Sequence, residues 1–237
     1  MFYGYGFWYD PTYLLVLIGV IVCLAASSRM NSTFRKYARV QSHNRMTGRE
    51  AAERILRSQG IYDVRVEHVA GSLTDHYDPR SKVLRLSDAT YGATSVAAIG
   101  VAAHECGHAL QHAKGYVPLS IRSTLVPVAN FGSSIAWPLI LIGLLFHSDM
   151  SLMLLNLGIL AFSLAVLFQI VTLPVEFNAS SRALKLLGSS GMLYESEVAD
   201  VRRVLSAAAL TYVAGAASAV LQLLRILILT GGRRRND

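Results

Sequence analysis

The residues with the plainest chemical meaning are His104, Glu105 and His108. They form an H-E-x-x-H motif inside the apolar stretch Ser95 to Ala113. Residues four apart on an α-helix differ by about 40° in angle and about 6 Å along the axis. Two imidazoles so placed can meet one zinc ion at about 2.0–2.1 Å. Glu105 lies beside them in angle and reaches a zinc-bound water rather than the metal. It is the expected general base, accepting that water's proton as the oxygen attacks a carbonyl. A helix this apolar offers no solvated face for two histidines and a glutamate, and burying the acid unpaired would be costly. One Zn2+ per chain is therefore the expected cofactor.

A third protein ligand is needed. His112 extends the histidine row, but on a straight helix its Cα lies about 12 Å from that of His104, too far for one tetrahedral ion to draw in all three. The long metzincin motif solves this with a glycine turn and a later histidine; Gln111 and Lys114 stand at those places here. His112 is thus expected on the substrate side or behind the ligands. Glu176, in Leu173-Pro174-Val175-Glu176-Phe177-Asn178, is the better candidate. Pro174 suits the first turn of a new helical segment. Tyr212, His76 and His112 could polarise an oxyanion, although no spacing argument selects among them. Cys106 lies about 200° from His104 and should pack away from the metal.

The composition says what must position these groups. The chain has 237 residues, 53% hydrophobic and only 16% charged, with a formal net charge of +7. Soluble domains carry roughly 25% charged residues. This balance excludes disorder, and two cysteines exclude a disulfide framework. Four stretches approach the roughly 20 apolar residues that a bilayer requires. Tyr13 to Ala26 follows the aromatics Phe7, Trp8 and Tyr9 and precedes Arg29, Arg35, Lys36 and Arg39, the pattern of an uncleaved anchor. Leu125 to Phe146 and Leu152 to Leu173 carry no Lys, Arg, Asp or Glu, and the short His147–Ser151 link makes them a helical hairpin. Pro127 and Pro138 should bend the first of these. Ala207 to Leu229 reads as a fourth span, with an interfacial or re-entrant helix as its rival. The segment from Ser27 to Arg122 holds 14 of the 22 basic residues and falls on the cytoplasmic side by the positive-inside rule.

The expected layout follows: residues 1–28 an anchor, 29–122 a cytoplasmic metalloprotease segment with its motif helix at about 95–113, and 123–174 a transmembrane hairpin. Residues 175–206 are a cytoplasmic segment bearing the third ligand, 207–229 a fourth membrane helix and 230–237 a basic tail. In 29–122, Thr47 and Glu50 predict a capping box for a helix ended by Gly60. Val64 to Val69 and Val83 to Leu86 predict a strand pair, with Asp78–Pro79 as a turn. Glu195, Glu197 and Asp200 read as a solvated helix start.

With these residues in view, the chain resembles the YugP-type bacterial membrane zinc metallopeptidases. The resemblance is carried by H-E-C-G-H-A-L-Q-H, then two spans, then L-P-V-E-F-N-A-S-S-R-A, and it covers nearly the whole chain. More distantly the chain is similar to the HtpX-type membrane proteases. The resemblance implies a mainly α-helical multi-pass membrane protein with a gluzincin-like zinc protease core and a small β-hairpin or edge strand. It implies His104, His108 and Glu176 as metal ligands and Glu105 as the catalytic residue. Zinc peptidases of this sort align peptide on an edge strand, a role expected here of Val83 to Leu86. The HtpX-type pattern has an acid where this chain has Ser180, so the contact to a ligand histidine must come from elsewhere, and the resemblance leaves Asn178 as the candidate substitute.

The expected function is zinc-dependent endoproteolysis near the cytoplasmic surface of the inner membrane. The expected partners are the lipid bilayer and peptide or membrane-protein substrates, in quality control or processing. A site-2-type intramembrane protease is an alternative, but its later aspartate in an N-P-D-G-like stretch is missing. A non-catalytic zinc scaffold is another, and the intact Glu105 argues against it. Nucleic acid is not an expected partner, because no aromatic–basic interleaving accompanies the charge.

Overall fold

The computed structural model describes residues 10–146 and 149–231. The aromatics at 7–9, the start of the 147–151 link and the arginines at 233–235 lie outside the described residues. Six helices and a small sheet follow in order: α1 Tyr13–Tyr37, α2 Gly48–Ser58, β1 Arg65–Val69, β2 His76–Asp78, β3 Val83–Ser87, α3 Val96–Ala113, α4 Val117–Leu145, α5 Asp149–Ser189 and α6 Glu195–Gly231. Of these, α1, α4, α5 and α6 are long and apolar enough to cross a membrane. The chain divides into two compact units. One comprises Met1–Ala26, Thr124–Ile170 and Tyr212–Asp237; the other comprises Ser27–Ser123 and Val171–Thr211.

Small residues shape the first unit. A Cβ on Gly158 would meet the carbonyl of Ala136 at 3.0 Å, so α4 and α5 approach at backbone contact. The α1 and α6 helices run antiparallel. Asp10 pairs with Arg225, Gly19 abuts Ser218, and the Cys23 thiol donates to the Ala214 carbonyl. Arg225, a charge within an otherwise apolar span, is thereby accounted for. It lies 3.1 Å from the Asp10 carboxylate and 4.3 Å from the centre of the Tyr13 ring. A charge on a helix apolar enough to cross a membrane needs such partners.

The second unit is built around α3. Its core joins Ile55 and Leu56 of α2, Leu84 and Leu86 of β3, Ile99, Ala103 and Cys106 of α3, Leu187 of α5 and Val201 of α6. The α2 helix opens on the expected capping box, Thr47 with Glu50. It closes at Gly60, whose φ of +71° is a left-handed conformation that glycine adopts without strain.

The sheet differs from the expected strand pair. It has three strands in the order β1-β3-β2, with β1 parallel and β2 antiparallel to β3. The hairpin is β2–β3, and its turn is held by Asp78, whose carboxylate accepts from Arg80 N and Ser81 Oγ. The expected turn is present, but it follows a strand too short to show periodicity. Val83 to Leu86 therefore forms the central strand and not an edge. It is paired on both sides, and four of its five residues are buried.

Two further expectations are corrected. Pro174 does not open a new helix. It lies inside the 41-residue α5, which continues to Ser189 despite the missing N–H. Glu197 is not solvated: it is 9% exposed, accepting from the backbone N–H groups of His43 and Tyr194 and pairing with the His43 ring.

Candidate metal centre

Ser95 caps α3 by accepting from Ala98 N, and nearly every residue from Val96 to Gln111 is buried. A helix apolar on all sides requires such burial. It packs against α2, and α5 approaches it at backbone distance. A Cβ on Gly107 would stand 2.5 Å from the Ala179 carbonyl. Glycine between the two motif histidines thus lets α5 approach, and α5 carries Glu176.

His104, His108 and Glu176 come together, each with a ligand-type atom within 4.8 Å of the others. Glu176 Oε2 lies 3.2 Å from His104 Nε2 and 3.5 Å from His108 Nε2. Ligand atoms around a tetrahedral zinc with bonds of about 2.0–2.1 Å are separated by about 3.3–3.4 Å. The donor set and its spacing therefore fit zinc. Glu105 is buried, 8% exposed, and its carboxylate makes no hydrogen bond among the described residues.

The rings are held from behind. His108 Nδ1 lies 3.0 Å from Gln111 Oε1. Gln111 is fully buried, and its amide nitrogen donates to the Val175 carbonyl and to Asn178 Oδ1. That fixes Oε1 toward the histidine. As Oε1 can only accept, the proton of neutral His108 sits on Nδ1, and the Nε2 lone pair faces Glu176. His104 Nδ1 lies 3.1 Å from Ser180 Oγ, one helical turn beyond Glu176. Arg122 Nη1 stands 3.6 Å from the second Glu176 oxygen.

Three of these contributors escaped the sequence reading. Ser180 stands at the acid's place in the HtpX-type pattern and itself faces His104. Gln111, noted only as a departure from the metzincin pattern, faces His108. Arg122 carried no motif. Asn178 reaches a ligand histidine only through Gln111, and it also accepts from Arg182 Nε.

His112 is not in the cluster. Its Nδ1 lies 2.9 Å from the Tyr77 hydroxyl. Burial, with the Asp63 and Asp78 carboxylates nearby, pushes the Tyr77 phenol up to about 12, so it keeps its proton at neutral pH. His76 lies on the exposed side of β2, beside the Thr74 carbonyl. Tyr212 belongs to the other unit. Cys106 packs away from the cluster, toward the Ala52 carbonyl of α2.

A half-buried His–His–Glu cluster is a donor set that could hold a metal ion, and the comparisons point to a zinc peptidase family. Residues 12–231 match the family described as "Putative neutral zinc metallopeptidase", and the chain belongs to that family. It is similar to a protein of Bacillus subtilis (strain 168) named "Putative membrane protease YugP", at 50% identity over 212 residues, covering 89% of this chain and 93% of that one. No solved structure matches.

Proposed function

We propose that this membrane protein is a zinc-dependent endopeptidase that cuts membrane proteins, or fragments released from them, near the cytoplasmic surface of the inner membrane. Quality control or processing of such proteins is its role. The observation that carries the reading is the approach of His104 Nε2, His108 Nε2 and Glu176 Oε2 beside the buried, unpartnered Glu105. Zinc, when bound there, would polarise a carbonyl and lower the pKa of water. His104, His108 and Glu176 would hold it. Gln111 and Ser180 keep the rings turned toward it. Glu105 takes the proton of the attacking water and passes it to the departing amine. The third member of the cluster is a glutamate, which favours this reading over a site-2-type one.

The place of action follows from sequence. Glu176 is three residues past Leu173, the end of the apolar stretch, and the basic 27–122 segment faces the cytoplasm by the positive-inside rule. β3 is paired on both sides, which leaves the edges β1 and β2; the strand offered to substrate is β2, the edge that packs beside the motif helix α3.

The test is Glu105→Gln in purified full-length protein. Zinc content should stay at one per chain while cleavage falls by roughly 10²–10⁴-fold, the scale of a general base. Unchanged cleavage would overturn the proposal. Cysteine-accessibility labelling on the two sides of the membrane checks the topology; a motif segment reached only from outside would overturn the placement.

A further inference from the structure

Beside the motif helix lies a pocket of about 360 Å³ that the reading above does not use. Pro79 and Arg80 from the β2–β3 turn line it, with Gln111 and His112 from the end of α3, then Tyr116, and Ser123 of α4. No aspartate or glutamate lines it. Asp78, two residues before Arg80, is committed elsewhere: it accepts from Arg80 N and Ser81 Oγ and lies 3.7 Å from Arg85. The Arg80 guanidinium makes no ion pair or hydrogen bond among the described residues. The Tyr77 hydroxyl occupies His112 Nδ1, leaving Nε2 for another partner. Arg182 adds positive charge 5.7 Å from the centre of the Tyr116 ring.

The pocket also shares parts with the candidate centre. Gln111 is at once a pocket wall and the group that orients His108. Edge strand β2 runs directly into Pro79 and Arg80. An extended peptide on that edge carries side chains to the pocket at alternate positions.

We propose that this pocket is a substrate subsite for a carboxylate, supplied by an Asp or Glu side chain or by the peptide's C-terminus, with Arg80 and His112 as the groups that bind it. The inference rests on the peptidase reading and adds a substrate class to it. The wall offers an arginine free of ion pairs and a histidine nitrogen and includes no acid, so it can take an anion even though the Asp63 carboxylate lies near His112. Arginine gives carboxylates paired, charge-assisted hydrogen bonds.

The test uses full-length, zinc-loaded protein in nanodiscs and one peptide scaffold. Glu, Gln or Lys is placed in turn at each position flanking the cleaved bond, and each peptide is made with a free and an amidated C-terminus. Cleavage is read as kcat/KM. Binding is read as Kd on the Glu105→Gln protein, which does not depend on turnover. The expected result is a preference of about tenfold for Glu over Gln at one position, or for free over amidated C-terminus, the scale of one charge-assisted hydrogen bond. The two arms tell a side-chain carboxylate from a chain end. The ratio should fall to about one in Arg80→Gln and turn toward Lys in Arg80→Glu. A ratio near one at every position and both termini, or a ratio that Arg80→Glu leaves unchanged, overturns the subsite. Cleavage without discrimination sinks the subsite alone. Discrimination in binding without any cleavage by the wild-type protein sinks the peptidase reading and leaves the carboxylate pocket standing.

Discussion

Gly107 of α3 and Ala179 of α5 touch backbone to side-chain position: a Cβ on Gly107 would lie 2.5 Å from the Ala179 carbonyl oxygen. The contact sits between the two motif histidines and one turn from Glu176, so it sets the gap that the cluster spans. Gly107→Ala must push the helices apart. We expect a loss of about 1–3 kcal/mol in stability, the usual scale of overpacking, with a larger proportional loss of zinc affinity. Thermal unfolding and zinc competition on the same preparation test both. Unchanged zinc affinity would show that the gap tolerates a methyl group.

The groups behind the histidines should matter nearly as much as the ligands. Gln111→Leu removes the acceptor that fixes His108, and Ser180→Ala removes the partner of His104. Each should weaken zinc binding by about 10–100-fold. The measurement is competition against a chelator of known affinity.

Glu176→Ala should abolish tight, stoichiometric zinc. Retention of one tightly held zinc per chain would remove Glu176 from the ligand set. Arg122→Met should have the smaller effect, since its guanidinium stands 3.6 Å from the other Glu176 oxygen and only steadies that carboxylate.

Tyr77 offers a pH test outside the membrane. Its folded pKa, near 12, is above the ordinary phenol value of 10, so the folded state favours the protonated phenol. The stability it contributes is complete below pH 10 and is lost as pH rises through about 12. Wild-type protein should therefore lose stability relative to Tyr77→Phe over that window, and its phenolate absorbance should show a step near 12 that the variant lacks. A step near pH 10 would show that Tyr77 is not held as described.

What could be read from the sequence was local. His104 and His108 are one helical turn apart, and Thr47 and Glu50 are three residues apart, so angle and rise alone relate them. Spans show by length and missing charge. The contacts of Ser180 with His104, of Arg122 with Glu176 and of Gln111 with Val175 depend on α3, α4 and α5 packing together, which no spacing within one helix reveals; only the His108–Gln111 pair, three residues apart on α3, was open to such reading. Ser180 is one turn past Glu176 on the segment expected to open at Pro174, so their shared face was readable, whereas the meeting of that face with His104 was not. Strand order failed for a related reason. The three residues of β2 are too few to show alternation, and without them β3 looked like an edge.

The brevity of β2 has a consequence of its own. Three residues offer only two or three main-chain hydrogen bonds to an incoming chain, each worth about 0.5–1.5 kcal/mol net. Such grip is too weak to hold one register, so on the proposed peptidase reading the register of a bound peptide must be set by its side chains. The same brevity protects the molecule from itself. A long bare edge invites other copies to add strands and aggregate, whereas the β2 edge stops after three residues at Pro79 and gives growth on that side little purchase.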